Sequence, residues 1–255
     1  MAPQLHPPAT ETICREILDV NDPILPAVQA LYESTLEEEE RIPWGWLART
    51  PERRTAWRPG QRRAHLVVAT PKDEPGRPVG FGYGAFLPGY GGYVCYLGVD
   101  PAARGRGIGT RLFLFVFGLI ESAARISTVP LPFIIWESHR PDDPGLWAAR
   151  LRVFDKVGGL WARGIELHTP NYMRADAPPV RLQIFLRPCD DPAEAFDAKR
   201  LREAVLGLYD QIYRLTPDDP LYQATAAGAV NPRLVSAVEA LEAPVPLSPP
   251  SGERG

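Results

Sequence analysis

The chain has 255 residues, 45% hydrophobic and 23% charged, with a formal net charge of -3 and a pI of about 5.9. That length and composition suit one domain with its own core, or one domain plus an appendage, and the weakly acidic balance argues against a nucleic-acid binder working through bulk positive charge. Cys14, Cys95 and Cys189 are far apart in sequence and form neither a disulfide framework nor a zinc pair, which suits a reducing cytoplasm. Residues 1–11 lack the charged and apolar regions of a secretory leader and are expected to be disordered. From Ile24, the residues Ile24, Val28, Leu31 and Leu36 recur at helical spacing after an Asp22-Pro23 start signal. A loop and a second helix are expected within residues 42–57. AHLVVATPK, VGFGYGAFL and GGYVCYLGVD read as strands, the glycines of the second marking a bulge or a close backbone approach. A helix is expected over 107–125, and its apolar run, Leu112–Ile120, is too short to span a bilayer. PFIIWES reads as a strand buried on both faces and PGLWAARLRVFDK as an amphipathic helix capped at Gly158-Gly159. LWARGIELHT and VRLQIFLRP read as closing strands. A long amphipathic helix is then expected over 193–215, and an irregular or flexible proline-rich tail over 217–255.

The stretch between the third strand and its helix carries the chemistry. Arg104-Gly105-Arg106-Gly107-Ile108-Gly109-Thr110 combines small residues, arginines and a hydroxyl at the start of a helix. A helix N-terminus offers unpaired N–H groups and a positive dipole end, so it is a ready site for phosphate or pyrophosphate. The spacing is neither the Rossmann fingerprint nor a P-loop, which needs Gly-Lys-Ser/Thr.

The strand, Val99-Asp100-Pro101, the pattern R-x-x-G-x-G at Arg104, Gly107 and Gly109, and the apolar helix together resemble the acetyl-CoA motif of the GNAT N-acetyltransferase superfamily. The resemblance covers residues 12–188 through the order of elements. It implies an α/β (α+β) fold, with a mixed, mostly antiparallel sheet flanked by helices, over residues 12–189. A C-terminal helical extension over 190–216 lies outside the common core. It implies acetyl-CoA as cosubstrate, no metal, and direct attack of an amine on the thioester. By position, Leu97, Gly98 and Val99 would pair with the pantetheine arm in a splay between their strand and PFIIWES. Backbone N–H groups of Arg104, Gly105, Arg106, Gly107, Ile108, Gly109 and Thr110 would hold the pyrophosphate, and an N–H near Leu97 would serve the carbonyl oxygen. The implied acceptor is a small-molecule or peptide amine. Charge, the short apolar run and the scattered cysteines argue for a cytoplasmic protein with no nucleic acid or membrane partner, and the apolar stripe of the appended helix would either pack back on the core or form a homodimer interface.

Two side chains depart from the family pattern. Phe154 stands where many members place a tyrosine acid, and Tyr93 falls where some carry a glutamate base. Glu137 is the best remaining base, because a carboxylate ending an apolar strand beside a splay loses solvation and gains basicity. Tyr93, Tyr96 and Tyr172 are candidate acids; His139 and His168 are weaker candidates, and Cys95 reads as a core residue. Glu37–Glu40 could attract a cationic amine or be a solvated helix end. Trp44 and Trp46 wall a pocket or plug the core, and the loop over 168–179 could cover the acceptor site. Loss of the usual acid leaves open a second reading, a catalytically weak acyl-CoA-binding sensor or interaction module. The length of the acyl chain is also open.

Overall fold

The computed structural model describes residues 11–172 and 178–242. The strands are β1 (Thr12–Glu16), β2 (Arg63–Pro71), β3 (Gly80–Leu87), β4 (Gly91–Val99), β5 (Phe133–Ser138), β6 (Leu160–Thr169), β7 (Val180–Pro188) and β8 (Arg233–Ser236). The helices are α1 (Leu25–Thr35), α2 (Trp44–Ala48), α3 (Thr50–Thr55), α4 (Ile108–Ser127), α5 (Pro144–Lys156), α6 (Ala198–Leu208) and α7 (Pro220–Gly228). All the strands join one sheet in the order β1-β2-β3-β4-β5-β7-β6-β8. Among the described residues only the β4–β5 pair is parallel, so this is the mixed, mostly antiparallel sheet that the resemblance implies.

Strand alternation sorts the core onto two faces. Ile134 and Trp136 of β5 pack with α4 and α5, whereas Phe133 and Ile135 pack with α6. Helix α4 buries Ile108, Leu112, Val116, Phe117 and Ile120 on one stripe. The β3 glycines serve that packing: a Cβ at Gly80 would stand 2.7 Å from Leu112, and one at Gly84 would stand 2.8 Å from Val116. Beyond β4, helices α1 and α2 cover the other face through Val28, Leu31, Tyr32 and Leu47. A register shift opposite Tyr83 and Gly84 leaves Cys95 as an extra residue in β4. After the bulge, Tyr96 joins the α1 cluster and Leu97 packs against the α4 cluster.

Several elements differ from the sequence reading. The edge strand β1 is too short and polar to announce itself. The second helix is two short ones, α2 and α3, that meet at Arg49. The helix expected over 193–215 is interrupted. A 3-10 turn at Ala193–Ala195 ends where Phe196 leaves helical angles (φ -92°, ψ 70°), and Asp197 then caps α6 by accepting from the Arg200 N–H at 2.8 Å. Helix α6 runs into a π-helical turn, Tyr209–Tyr213, ended by Arg214 in the left-handed region (φ 58°). This extension packs back on the sheet, with Leu201, Val205 and Leu208 fully buried. The stretch from 217 read as irregular holds α7, β8 and a 3-10 turn at Ala237–Glu242. Strand β8 pairs with β6, and the Trp147 indole N–H donates to the Ala240 carbonyl at 3.2 Å. Residues 1–10 and 243–255 lie outside the described residues.

Candidate active site

The turn before α4 is shaped by three local devices. Asp100 accepts from the Ala102 N–H at 2.9 Å and folds Pro101–Ala103 into a 3-10 turn. Gly105 and Gly107 take φ values of 78° and 76°, which side-chain-bearing residues adopt only under strain. A Cβ at either would meet nothing within 4 Å, so conformation demands the glycines and the space in front of them is open. Buried Ile108 anchors the first turn of α4, and the Arg111 N–H donates to the Gly107 carbonyl at 3.1 Å. The N–H groups before Arg111 therefore head an anion site at the positive end of α4. Arg104 and Arg106 are exposed; Arg104 borders the cleft described next, and its Nε donates to the Val99 carbonyl at 3.3 Å. Arg106 does not line that cleft.

Strands β4 and β5 pair only through Gly92–Ile134, Tyr93–Ile135 and Val94–Trp136. Beyond Val94 they part, which is the splay expected from the sequence. Leu97, Gly98 and Val99 remain paired to β3 through Gly82, Phe81 and Gly80, so their other edge faces the gap. A cleft of about 830 Å³ follows this gap, lined at one end by the α4 turn and at the other by Glu137, Tyr172 and Tyr213.

Glu137 follows Phe133 and Ile135 on the α6 face of β5, the face that also carries Tyr93. The Tyr93 hydroxyl donates to Glu137 Oε1 in a short hydrogen bond, and the Tyr213 hydroxyl donates to the same oxygen at 2.9 Å. Glu137 Oε2 is buried in the cleft wall and has no hydrogen-bond partner. Burial pushes the carboxyl up to about 7, against the opposing pull of the two tyrosine hydrogen bonds. The same burial holds both phenols well above their ordinary range, so they stay neutral donors.

The structure sorts the remaining candidates. Tyr96 donates to the Glu40 carbonyl at 2.7 Å and so ties down the segment after α1. Tyr172 lines the cleft and stacks on Tyr213, with ring centroids 6.5 Å apart at 14°. His139 is exposed at the cleft edge, 3.4 Å from Glu40. His168 is removed from the cleft, its Nδ1 3.2 Å from Thr225 Oγ1 and its carbonyl accepting from Tyr209. Burial pushes the Cys95 thiol up to about 12, which keeps it protonated. Phe154 lines the cleft within an aromatic cluster, 4.6 Å from the Phe185 ring centre, and has no proton to give. Trp44 packs on Tyr32 in the core, whereas half-exposed Trp46 lines the cleft. Glu37 and Glu38 are solvated and Glu40 borders the cleft. Within the loop over 168–179, Thr169, Pro170 and Tyr172 line the cleft, and residues 173–177 lie outside the described residues. Sequence reasoning missed Tyr213, because nothing local marks a tyrosine at the end of an appended helix as a partner of a strand 76 residues earlier. Among the described residues no three His, Cys, Asp or Glu side chains gather as a metal site, and no helix is long and apolar enough to cross a membrane.

Residues 26–125 match the acetyltransferase (GNAT) family. No curated protein matches the chain in sequence. Among solved structures, a protein from Bacteroides thetaiotaomicron assigned to the GNAT family aligns at 17% identity with a TM-score of 0.54, over 80% of this chain and 99% of its own. A Salmonella typhimurium protein solved with acetyl-CoA aligns at 13% identity and TM-score 0.47, over 72% of this chain and 97% of its own. Ribosomal-protein-alanine N-acetyltransferase from Brucella melitensis aligns at 18% and 0.46, over 69% and 99%. The Bacteroides likeness is one of fold, and it extends the agreement beyond the matched segment. Residues 26–125 are thus the part of the chain that matches an acetyltransferase (GNAT) family, and the fold around that part agrees with the match.

Proposed function

We propose that the enzyme transfers an acetyl group from acetyl-CoA to a primary amine in a ternary complex, with Glu137 as general base. The observation that carries this reading is the Glu137 carboxylate at the mouth of the β4–β5 gap. Its Oε1 is held by two tyrosine hydroxyls, and its Oε2 is partnerless.

The cleft fits the cosubstrate. The turn over Arg104–Thr110 offers N–H groups and open space to a pyrophosphate, although Arg106 does not border the cleft. The free edge of Leu97, Gly98 and Val99 suits an extended amide-bearing arm. Each charge-assisted N–H contact to phosphate contributes on the order of 1.5–3 kcal/mol. The cosubstrate supplies an acetyl thioester. Glu137 Oε2 takes the proton from the bound ammonium, so that nitrogen attacks as a neutral amine. The N–C bond forms as the C–S bond breaks, and a strand N–H near Leu97 stabilises the carbonyl oxygen as it gains charge. Tyr93 and Tyr213 hold Oε1 and so aim Oε2. Phe154 gives no proton, so the second proton that leaves the acylated nitrogen reaches the CoA thiolate through water in the open cleft, giving the amide and the free thiol.

Calorimetric titration with acetyl-CoA, followed by thiol release over a panel of amines, tests the reading. Binding abolished by Gly107→Glu, with turnover abolished by Glu137→Gln, supports it. Binding without turnover of any amine favours an acyl-CoA sensor instead, and absence of binding removes both.

A further inference from the structure

The end of the cleft away from the α4 turn carries three arginines, Arg53, Arg62 and Arg214. Among the described residues none of the three is in an ion pair. Arg62 donates to the Gln211 carbonyl and Arg214 to the Asp210 carbonyl, each at 3.2 Å. A guanidinium has five N–H donors, so most of each remains available. Arg53 and Arg62 both favour the ionised form of the Tyr83 phenol, and Arg62 does the same for the Cys95 thiol. Glu137 acts on that thiol with the opposite sign, so Cys95 lies within electrostatic reach of both base and arginine. The two carboxylates on the cleft wall leave this surplus unanswered. Glu137 is held by tyrosines, and Glu40 faces His139 and Arg150.

An aromatic wall lies on the same cleft. Trp46 is 50% exposed and Tyr172 38% exposed, their rings 6.0 Å apart, and Tyr172 stacks in turn on Tyr213 beside Arg214. Exposed aromatic faces beside unpaired guanidinium groups suit a ligand that is apolar on one side and anionic on another.

We infer that the acceptor is a small amine of amino-acid type, with a carboxylate or phosphate a few atoms from the amino group and an apolar or aromatic body. This rests on Glu137 being the base at the reacting nitrogen. The arginines take the anionic group, the aromatic wall takes the body, and the amine is left facing Oε2. Polyamines and other purely cationic acceptors are disfavoured by the same charges.

The test compares matched pairs: L-phenylalanine with 2-phenylethylamine, and O-phosphoethanolamine with ethanolamine, with spermidine as the cationic control. Both kcat/KM and calorimetric binding to the CoA-loaded enzyme are measured, for wild type and for Arg53→Gln/Arg62→Gln. At least one anionic member is expected to lead its partner by about tenfold or more in both readouts. The pair that does so identifies carboxylate or phosphate as the recognised group. The double variant is expected to bring the ratio close to one while acetyl-CoA affinity is unchanged, which also shows that it folds. Equal use of both members, preference for spermidine, a ratio that survives the double variant, or no binding of any anionic amine overturns the inference. Full turnover by Glu137→Gln sinks the base assignment and leaves the anion preference readable, so the two failures are distinguishable.

Discussion

Glu137 is held where burial pushes its carboxyl up to about 7, so its protonation state changes within the range where a base is needed. With Glu137 as the base, kcat/KM rises with pH through about 7 and then levels off, and the limb disappears in Glu137→Gln. That variant keeps acetyl-CoA binding and loses about 10²–10⁴-fold in turnover. The same group affects stability with a definite sign. Its folded-state value lies above the 4.5 of a free glutamate, so its contribution is fully present below 4.5 and is lost as pH rises through about 7. The loss amounts to about 3 kcal/mol at alkaline pH. Urea unfolding should therefore show Glu137→Gln more stable than wild type at pH 8.5 and close to it at pH 4.5; equal stability at both would mean that the carboxyl ionises normally. Tyr213 supports the charged form by donating to Oε1 at 2.9 Å. Tyr213→Phe should move the activity limb to higher pH and lower kcat, with acetyl-CoA affinity unchanged. A merely structural tyrosine would leave the limb where it is.

At the scale of elements, the turn into α4 depends on two glycines with positive φ, and they differ from the β3 glycines in what substitution does. Gly107→Ala meets open space but must adopt a φ of 76°, a strain of roughly 1–2 kcal/mol. It should lower stability modestly and weaken acetyl-CoA binding, both readable by calorimetry. Gly84→Ala instead drives a methyl into Val116 at 2.8 Å and the Tyr93 carbonyl at 2.8 Å, and should destabilise the α4–sheet packing. These elements were legible in the sequence because each leaves a local mark. Glycines and arginines before an apolar helix announce the turn, continuous apolar residues announce β5, and a lone carboxylate at its end announces Glu137. What was not legible is set by distance or by brevity. Strands β1 and β8 span five and four residues and lie at sheet edges, where one face has little to bury. Phe196, at the break, packs on Phe133 of β5, and Tyr213, at the end of the π-turn, donates to Glu137 of β5; a helical period cannot report such distant contacts. Arg53, Arg62 and Arg214 are ordinary surface residues until the fold brings α3, the start of β2 and the π-turn to one cleft.

Across the whole molecule, the sheet continues past residues 12–189, the span over which the sequence resemblance implies a fold. Strand β8 pairs with β6, Ala237 and Ala240 pack into the α4–α5 cluster, and α6 covers the face that bears Ile135, Ile184 and Tyr93. Helix α6 buries Leu201, Val205 and Leu208 completely, each contributing about 1.5–3 kcal/mol of transfer free energy. That sum is comparable to the 5–15 kcal/mol net stability of a typical domain. A fragment ending at Cys189 would expose this face and lose Tyr213 with it. It should therefore aggregate or collapse to a loosely packed state that binds a hydrophobic dye, and should not bind acetyl-CoA. Far-ultraviolet and near-ultraviolet dichroism of the fragment, compared with the full chain, checks this. A fragment with a cooperative transition and wild-type acetyl-CoA affinity would show that residues 190–242 are an accessory to the fold. Their contribution would then reduce to the one hydroxyl at Glu137, which Tyr213→Phe in the full chain measures separately. In the full chain, far-ultraviolet and near-ultraviolet signals should be lost together, because one sheet runs from β1 to β8 and no boundary within it leaves either part with a covered face.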